Sequence, residues 1–324
     1  MASGFFEGKV VCVTGAGGSI GTELCVQLLA QGVGELRLVS LTENGLYNLM
    51  RRLKPIAGTT KLTGVLGNVA DPKLMEEVLA GADVVVHAAA HKHVTLCEEN
   101  PLAAIANNVG GTCSLASAAV RAKVGTFVLI STDKAVKPTS VMGATKRVCE
   151  LALRDVFSAG SKLTSFVTVR FGNVLYSAGS VLNLWAEQAG KGEPITLTDP
   201  NCERYFMSIP DAVELVLSAA PMSNGLYVFD MGEPRKMCDL ARDVLRQRGM
   251  GPEDIVVTGL RPGEKLVEEL HHGGMLIQTG REKIFEVEDE TERTLEFKQL
   301  QALSEHTRQR NVKAALHYLW GIVK

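Results

Sequence analysis

KVVCVTGAGGSIG, residues 9–21, is the stretch on which the reading of the chain turns. Residues 9–14 form a short, β-branched apolar run, which reads as a buried strand. Gly15, Gly18 and Gly21 follow at three-residue spacing and lead into an amphipathic helix over 20–29. Gly15 allows the tight turn, Gly18 lets the backbone approach a pyrophosphate, and Gly21 permits close strand–helix contact. Gly17, Ser19 and Ile20 complete the cradle, where the helix N-terminus offers unpaired N–H donors to phosphate. A lone glycine triad is weak evidence. Its strand–turn–helix setting points to a dinucleotide rather than to a bare structural turn. The Gly-Lys-Ser/Thr ending of a P-loop is absent.

Working outward, strands are predicted at 35–40, 62–66, 82–87, 126–131, 165–170 and 226–229. Helices are predicted at 46–53, 72–79, 101–123 and 141–157. Pro72 after Asp71 suits a first helical turn, because proline has no N–H to waste there. Alternation of apolar strands and helices predicts an α/β, Rossmann-like doubly wound parallel sheet covered on both faces. After Arg170 the pattern loosens into Gly- and Pro-interrupted pieces, then a helix at 239–248, a strand at 255–258 and the loop GLRPGEK. A smaller, interleaved C-terminal lobe is expected. Residues 1–173 with 208–233 make the nucleotide-binding lobe, 174–207 with 234–290 the substrate lobe, and 291–324 a helical tail.

Composition excludes several classes. The 324 residues are 46% hydrophobic with a formal net charge of −2, which suits a folded domain and not a basic nucleic-acid binder. No 18-residue apolar run exists for a membrane span, and the N-terminus lacks a signal-peptide h-region. The seven cysteines are odd in number and show no CxxC pair, so buried thiols in a reducing compartment are expected, and no metal site.

The strand at 35–40 is followed by Glu43, with no arginine at 40–44. A carboxylate there suits the ribose hydroxyls of NAD and an arginine the 2′-phosphate of NADP, so NAD is favoured. As a simpler role, Glu43 would complement the helix dipole. Asn68, with Val69 in GNVAD, is a candidate for the adenine edge or a plain turn residue. STDKAVKPTSVMGATK (131–146) puts Thr132, Asp133 and Lys134 at the carboxyl edge of a parallel strand, where ligands bind in such sheets. Adjacent acid and amine can divide proton-transfer work. Lys146 follows twelve residues after Lys134, on a helix that could face the cofactor.

These pieces resemble the extended short-chain dehydrogenase/reductase superfamily over nearly the whole chain. More narrowly the chain looks like the polysaccharide-biosynthesis UDP-N-acetylglucosamine 4,6-dehydratases. The resemblance rests on TGAGGSIG (14–21), HAAAHKHV (87–94), ENPLAAIANNVGGT (99–112), the 131–146 segment, VRFGNVLYSAGSV (169–181), ERYFMSI (203–209) and GLRPGEKL (259–266). The superfamily's Tyr-x-x-x-Lys reads Met142-Gly-Ala-Thr-Lys146 here. Methionine cannot deprotonate a hydroxyl. A subgroup of the resembled family carries this methionine and is active, with the neighbouring Asp or Lys covering the base function.

The resemblance implies C4 oxidation by NAD, loss of water across C5 and C6, and return of the hydride to C6, with retention at C5. It assigns Asp133 as acid at C6, Lys134 as base at C5 with a lowered pKa, and Thr132 to the C4 oxygen. Lys146 would hold the nicotinamide ribose. Ala88, Ala89, Ala90 and Asn108 would line the cofactor, and Asn108, with its neighbour Asn107, would also support a helix irregularity. Lys92 would line the sugar site, with Asn173, Arg204, Arg261 and Glu264 on the uridine diphosphate. A homo-oligomer is expected, located in the cytoplasm or as the cytoplasmic part of a membrane-tethered protein. The alternatives are a C5-inverting dehydratase, a nucleotide-sugar 4-epimerase, or a catalytically silent NAD-sensing scaffold.

Overall fold

A computed structural model describes residues 4–273, 275–288 and 294–324. Six strands follow in chain order: β1 Val10–Thr14, β2 Glu35–Ser40, β3 Lys61–Leu66, β4 Val84–His87, β5 Thr126–Ile130 and β6 Ser165–Arg170. In space they lie parallel in the order 3-2-1-4-5-6. The strand Gly225–Phe229 adds parallel to β6. The order reverses between β1 and β4, where Thr14 pairs with His87. Open α/β sheets bind ligands at such a switch point, beyond the carboxyl ends of the strands.

Side chains alternate across each strand, so the sheet feeds two cores. Val11, Val13, Val84, Val86, Val128 and Val167 share one apolar cluster with helix α1, Ser19–Ala30, and the helix Ile209–Ala219. Cys12, Val85, Phe127, Leu129 and Phe166 face the other, with the helix Val141–Leu151. All seven cysteines are unpaired thiols, and most are buried.

Three expectations need adjustment. The helix over 101–123 carries the irregularity implied at Asn107 and Asn108, a π-helical segment at Ile105–Gly110, and the helix from Val141 widens likewise, without such a signal, at Ala152–Phe157. Residues 276–278 and 284–287, placed with the second lobe on sequence, form two antiparallel strands at the edge of the main sheet. The C-terminal helices Phe297–Arg308 and Val312–Val323 pack on the chain itself. Leu300, Leu303, Ala315 and Leu319 enter the same core as the helix Val141–Leu151. A third cluster, with Leu182, Trp185, Ile195, Leu197, Leu240 and Leu245, lies apart from the sheet. There the strands Ile195–Leu197 and Ile255–Val257 pair in parallel. On this basis we propose a second lobe of 174–207 and 234–273, with 275–288 belonging to the first. No helix among the described residues is long and apolar enough to cross a membrane.

Candidate active site

The glycine turn is a close-packed joint. Gly15 has φ +65°, and a Cβ there would sit 2.7 Å from the Ala89 nitrogen. At Gly21 a Cβ would meet the Gly15 carbonyl oxygen at 2.2 Å, and at Gly17 the Gly45 Cα at 2.9 Å. Any side chain at these positions would push β1, α1 or the neighbouring turns apart. Helix α1 begins at Gly18–Ser19 with no capping side chain and no acidic residue in its first turn. Its leading N–H groups and positive dipole end therefore remain for an anion.

A cleft of ≈760 Å³ runs from this turn to the end of β5. It gathers Gly15, Gly18, Ser19, Ile20 and Gly21 with Ala88, Ala90 and Lys92, and also Thr132, Lys134, Met142, Lys146 and Asn173. Ala89 stands behind Gly15, and Gly17 is spent on contact with Gly45. The loop at 177–179 crosses the cleft, a feature that had no signal in residue type. The Ala178 amide donates to Ser19 Oγ at 2.9 Å, and Lys92 Nζ donates to the Ala178 carbonyl at 2.6 Å. Burial pulls Lys92 below the usual lysine range.

At the end of β5 the acid and the amine touch. Lys134 Nζ lies 3.0 Å from Asp133 Oδ1 and 3.2 Å from Asn173 Oδ1. Thr132 Oγ1 donates to Asp133 Oδ1 at 2.8 Å. Asp133 is fully buried, and its Oδ2 has no hydrogen-bond partner. Such a group normally has a partner; Asp133 does not itself line the cleft, and its Oδ2 lies behind Gly172, which does. Beneath it, Ser131 Oγ donates to Glu150, which also takes the buried Arg170.

Lys134 departs from expectation. The base role asks for a lowered pKa, but the structure raises it. Burial opposes the ammonium, yet the carboxylates of Asp133 and Glu268 outweigh burial and the nearby Arg204, so the proton is held. Glu268, 4% exposed and 3.6 Å from Lys134 Nζ, was not singled out from sequence. Only its place in EKLVEEL, following the GLRPGEK loop, could have suggested it.

Lys146 is 6% exposed and donates to the Ile130 carbonyl at 2.6 Å. Burial lowers its pKa, opposed by Cys149 and Glu150. Met142, 4% exposed, fills the wall where the superfamily tyrosine would stand. His87 bridges Thr14 (2.7 Å) and Thr112 (3.0 Å), and burial, with Lys146, drives its pKa to about 3. It is a neutral strut at the switch point.

Asn108 sits in the π-helical segment and is 1% exposed. Its amide nitrogen donates to the His91 carbonyl (3.0 Å) and Thr145 Oγ1 (2.9 Å), while its Oδ1 accepts from the His91 amide (2.7 Å). It ties the loop after β4 to the helix bearing Lys146. It touches no cleft space, so the cofactor-contact assignment becomes a supporting one.

Other assigned residues lie outside the cleft. Glu43 is exposed in the first turn of the helix Glu43–Leu53, two residues before the Gly45 that packs on Gly17. Asn68 Oδ1 accepts from the Ala70 amide at 2.9 Å, the plain turn role, and Val69 is buried against Gly111. Arg204 is 5% exposed and spends its guanidinium on the carbonyls of Glu203, Lys265 and Leu266, with Glu264 at 3.4 Å. It braces the 264–266 segment instead of facing open space. Glu264 also accepts from Thr198 Oγ1 and from the Arg261 amide, so it holds the Arg261 backbone. Arg261 is exposed and makes no side-chain ion pair among the described residues.

A glycine cradle at the switch point, a buried lysine on the helix beyond it and an acid–amine pair at the mouth of β5 define a short-chain dehydrogenase/reductase domain. Solved structures of a dTDP-glucose 4,6-dehydratase and of a UDP-glucose 4-epimerase share its fold. The chain belongs to the polysaccharide biosynthesis protein family, whose model matches residues 11–289. It is 46% identical over 269 residues to the capsular polysaccharide biosynthesis protein CapD of Staphylococcus aureus, covering 81% of this chain and 45% of that protein. It is also 45% identical to the probable polysaccharide biosynthesis protein EpsC of Bacillus subtilis, over 82% of this chain and again 45% of the relative. The chain thus spans less than half the length of these two relatives. Among solved structures, Pen from Bacillus thuringiensis matches with a TM-score of 0.80 at 28% identity, covering 90% of this chain and 91% of Pen. DesIV, a dTDP-glucose 4,6-dehydratase from Streptomyces venezuelae with NAD and TYD bound, matches with a TM-score of 0.72 at 25% identity. That match covers 82% of this chain and 88% of DesIV.

Proposed function

We propose that this chain is an NAD-dependent 4,6-dehydratase acting on UDP-N-acetylglucosamine, yielding the UDP-4-keto-6-deoxy sugar with retention at C5. The observation that carries the reading is the Asp133–Lys134 contact of 3.0 Å at the cleft, opposite a methionine where the superfamily places its tyrosine. The cradle fits a dinucleotide pyrophosphate, because its glycines leave no room for a Cβ and the helix end has no cap of its own.

NAD, when bound, takes hydride from C4 and returns it to C6. The chain's own residues handle protons. Thr132 accepts the hydrogen of the C4 hydroxyl and relays a proton to Asp133, its 2.8 Å partner. The carboxylic acid so formed gives that proton to the C6 oxygen, which leaves as water. Lys134, once neutral, takes the C5 proton made acidic by the adjacent ketone and later returns it to the same carbon. One group working from one side accounts for retention. Lys146 lends positive charge near the C4 oxygen.

A 4-epimerase is the second reading, because relatives named UDP-glucose 4-epimerase, such as that of Rickettsia rickettsii, share 34% identity over 82% of this chain. Incubation with UDP-N-acetylglucosamine and NAD decides between them. The dehydratase yields a product lighter by one water with no net cofactor change, and in deuterated water its ring couplings show retained configuration at C5. A mass-neutral product would establish the epimerase, and unchanged substrate would remove both. Titration of cofactor-free protein should give tighter binding of NAD than of NADP, given Glu43 in the helix turn that follows β2 and no arginine at 40–44. The reverse preference would overturn the cofactor assignment.

A further inference from the structure

We propose that Glu268 is a positioning residue that holds Lys134 in place, and thereby ties the GLRPGEK segment to the acid–amine pair. The inference rests on the dehydratase reading and deepens it.

The geometry carries the proposal. Glu268 comes from the second lobe, yet its carboxylate is 4% exposed and reaches Lys134 Nζ at 3.6 Å. The same carboxylate has Lys265 Nζ 3.8 Å from its other oxygen, and Glu268 Oε2 has no hydrogen-bond partner. Lys265 Nζ in turn donates to the Val136 carbonyl at 2.7 Å, two residues beyond Lys134. The segment itself is braced by Arg204, which donates to the Lys265 and Leu266 carbonyls. One short stretch therefore grips the 133–136 turn at two points, side chain to side chain and side chain to backbone. The charged groups facing Lys134 are Asp133 on its own turn, Glu268 and Lys265 from the segment, and Arg204 from the neighbouring strand.

An isolated carboxylate is costly to bury, so Glu268 must be compensated by cations on both sides. That compensation runs in both directions. Glu268 stabilises the charged form of Lys134 and opposes its loss of a proton. Without this carboxylate the proton affinity of Lys134 would fall, with Asp133 still in contact. Glu268 touches no reacting atom in this account and acts only through Lys134.

Competitive acylation of Lys134 with trace acetic anhydride, read by peptide mass spectrometry against pH, measures this directly and does not require turnover. Glu268→Gln should move the Lys134 labelling midpoint to lower pH by about one unit, a tenfold change in proton affinity. Glu268→Asp should give a smaller shift in the same direction, and it serves in place of Glu268→Gln if that variant fails to fold. The acid limb of turnover against pH should move with the labelling midpoint. An unchanged midpoint in both variants overturns the proposal. A shifted midpoint in the variants, with wild-type protein that fails to dehydrate the sugar, would leave Glu268's role standing and remove the dehydratase reading. Dehydration with an unmoved midpoint would do the opposite.

Discussion

Gly143→Ala tests how tightly the acid–amine turn is clamped to the helix that carries Met142 and Lys146. A Cβ at Gly143 would lie 2.2 Å from the Lys134 carbonyl oxygen and 3.1 Å from its carbonyl carbon. Carbon and oxygen rest at about 3.3 Å, so the 133–135 turn and the helix must part by roughly 1 Å. The atom met is backbone, and no flexible side chain can swing away. Overpacking of this size costs about 1–3 kcal/mol of stability. The larger effect should fall on chemistry, because a shift of about 1 Å in a catalytic group commonly lowers turnover on the order of 100-fold. Thermal unfolding, NAD titration and sugar turnover should be measured on one preparation. NAD affinity should fall less than turnover, since the glycine turn lies away from this helix and only Lys146 would reach the cofactor from it. Gly321→Ala is the control. It is exposed, lies within the helix Val312–Val323 and has nothing within 4 Å, so it should stabilise by about 0.5–1 kcal/mol. Near-normal turnover and stability in Gly143→Ala would refute the clamped-turn reasoning.

Asp133→Asn and Lys134→Ala should each abolish most dehydration while NAD still binds, as a fluorescence titration of cofactor would show. Because Lys134 is held above the usual lysine range, the active amine grows as pH rises, so turnover in wild-type protein should climb with pH and fall away on acidification. A flat profile through the alkaline range would remove Lys134 from the rate-limiting proton transfer. Arg261→Ala should weaken UDP binding by roughly tenfold to a hundredfold, the scale of one charge-assisted contact, with stability unaltered. Isothermal titration with UDP reads this, and an unaltered Kd would place the diphosphate elsewhere.

Most of the fold was legible because it rests on local chemistry repeated along the chain. Pro72 after Asp71 marked a helix start, and the Asp71 side chain caps that helix through the Lys73 and Leu74 amides. The run 82–87 marked a central strand because only a two-faced sheet buries four consecutive residues such as Val84–His87. What escaped lacked a local cause. The strands Leu276–Gln278 and Ile284–Val287 are short, and they join the main sheet through pairing with Gly225–Phe229, some sixty residues back. The π-helical segment at Ile105–Gly110 was implied by the resemblance at Asn107 and Asn108 but not by helix periodicity, and Asn108 bonds the loop after β4 from within it.

The site divides along the same line. Residues that meet the cleft through one turn or one helix end, such as Gly15, Ser19, Thr132 and Lys146, could be placed from motif position alone. Arg204 could not, because an arginine that suits a diphosphate equally suits three carbonyl oxygens, and only the path of residues 264–266 decides between them. Lys134 is the sharpest case. Its neighbour Asp133 is visible in sequence, and so is the burial implied by an apolar strand before it. These two act in opposite directions on the amine, so the sign of the net effect was open. Asp133 is the first of the carboxylates that raise the pKa, and a second, Glu268, adds to it from 134 residues further along the chain. Proton affinity at this lysine therefore depends on Asp133 beside it and, in addition, on the contact between the β5 turn and the 264–268 segment. Disturbing that contact would ease loss of the proton, which puts part of the control of the base in the part of the molecule expected to hold the nucleotide.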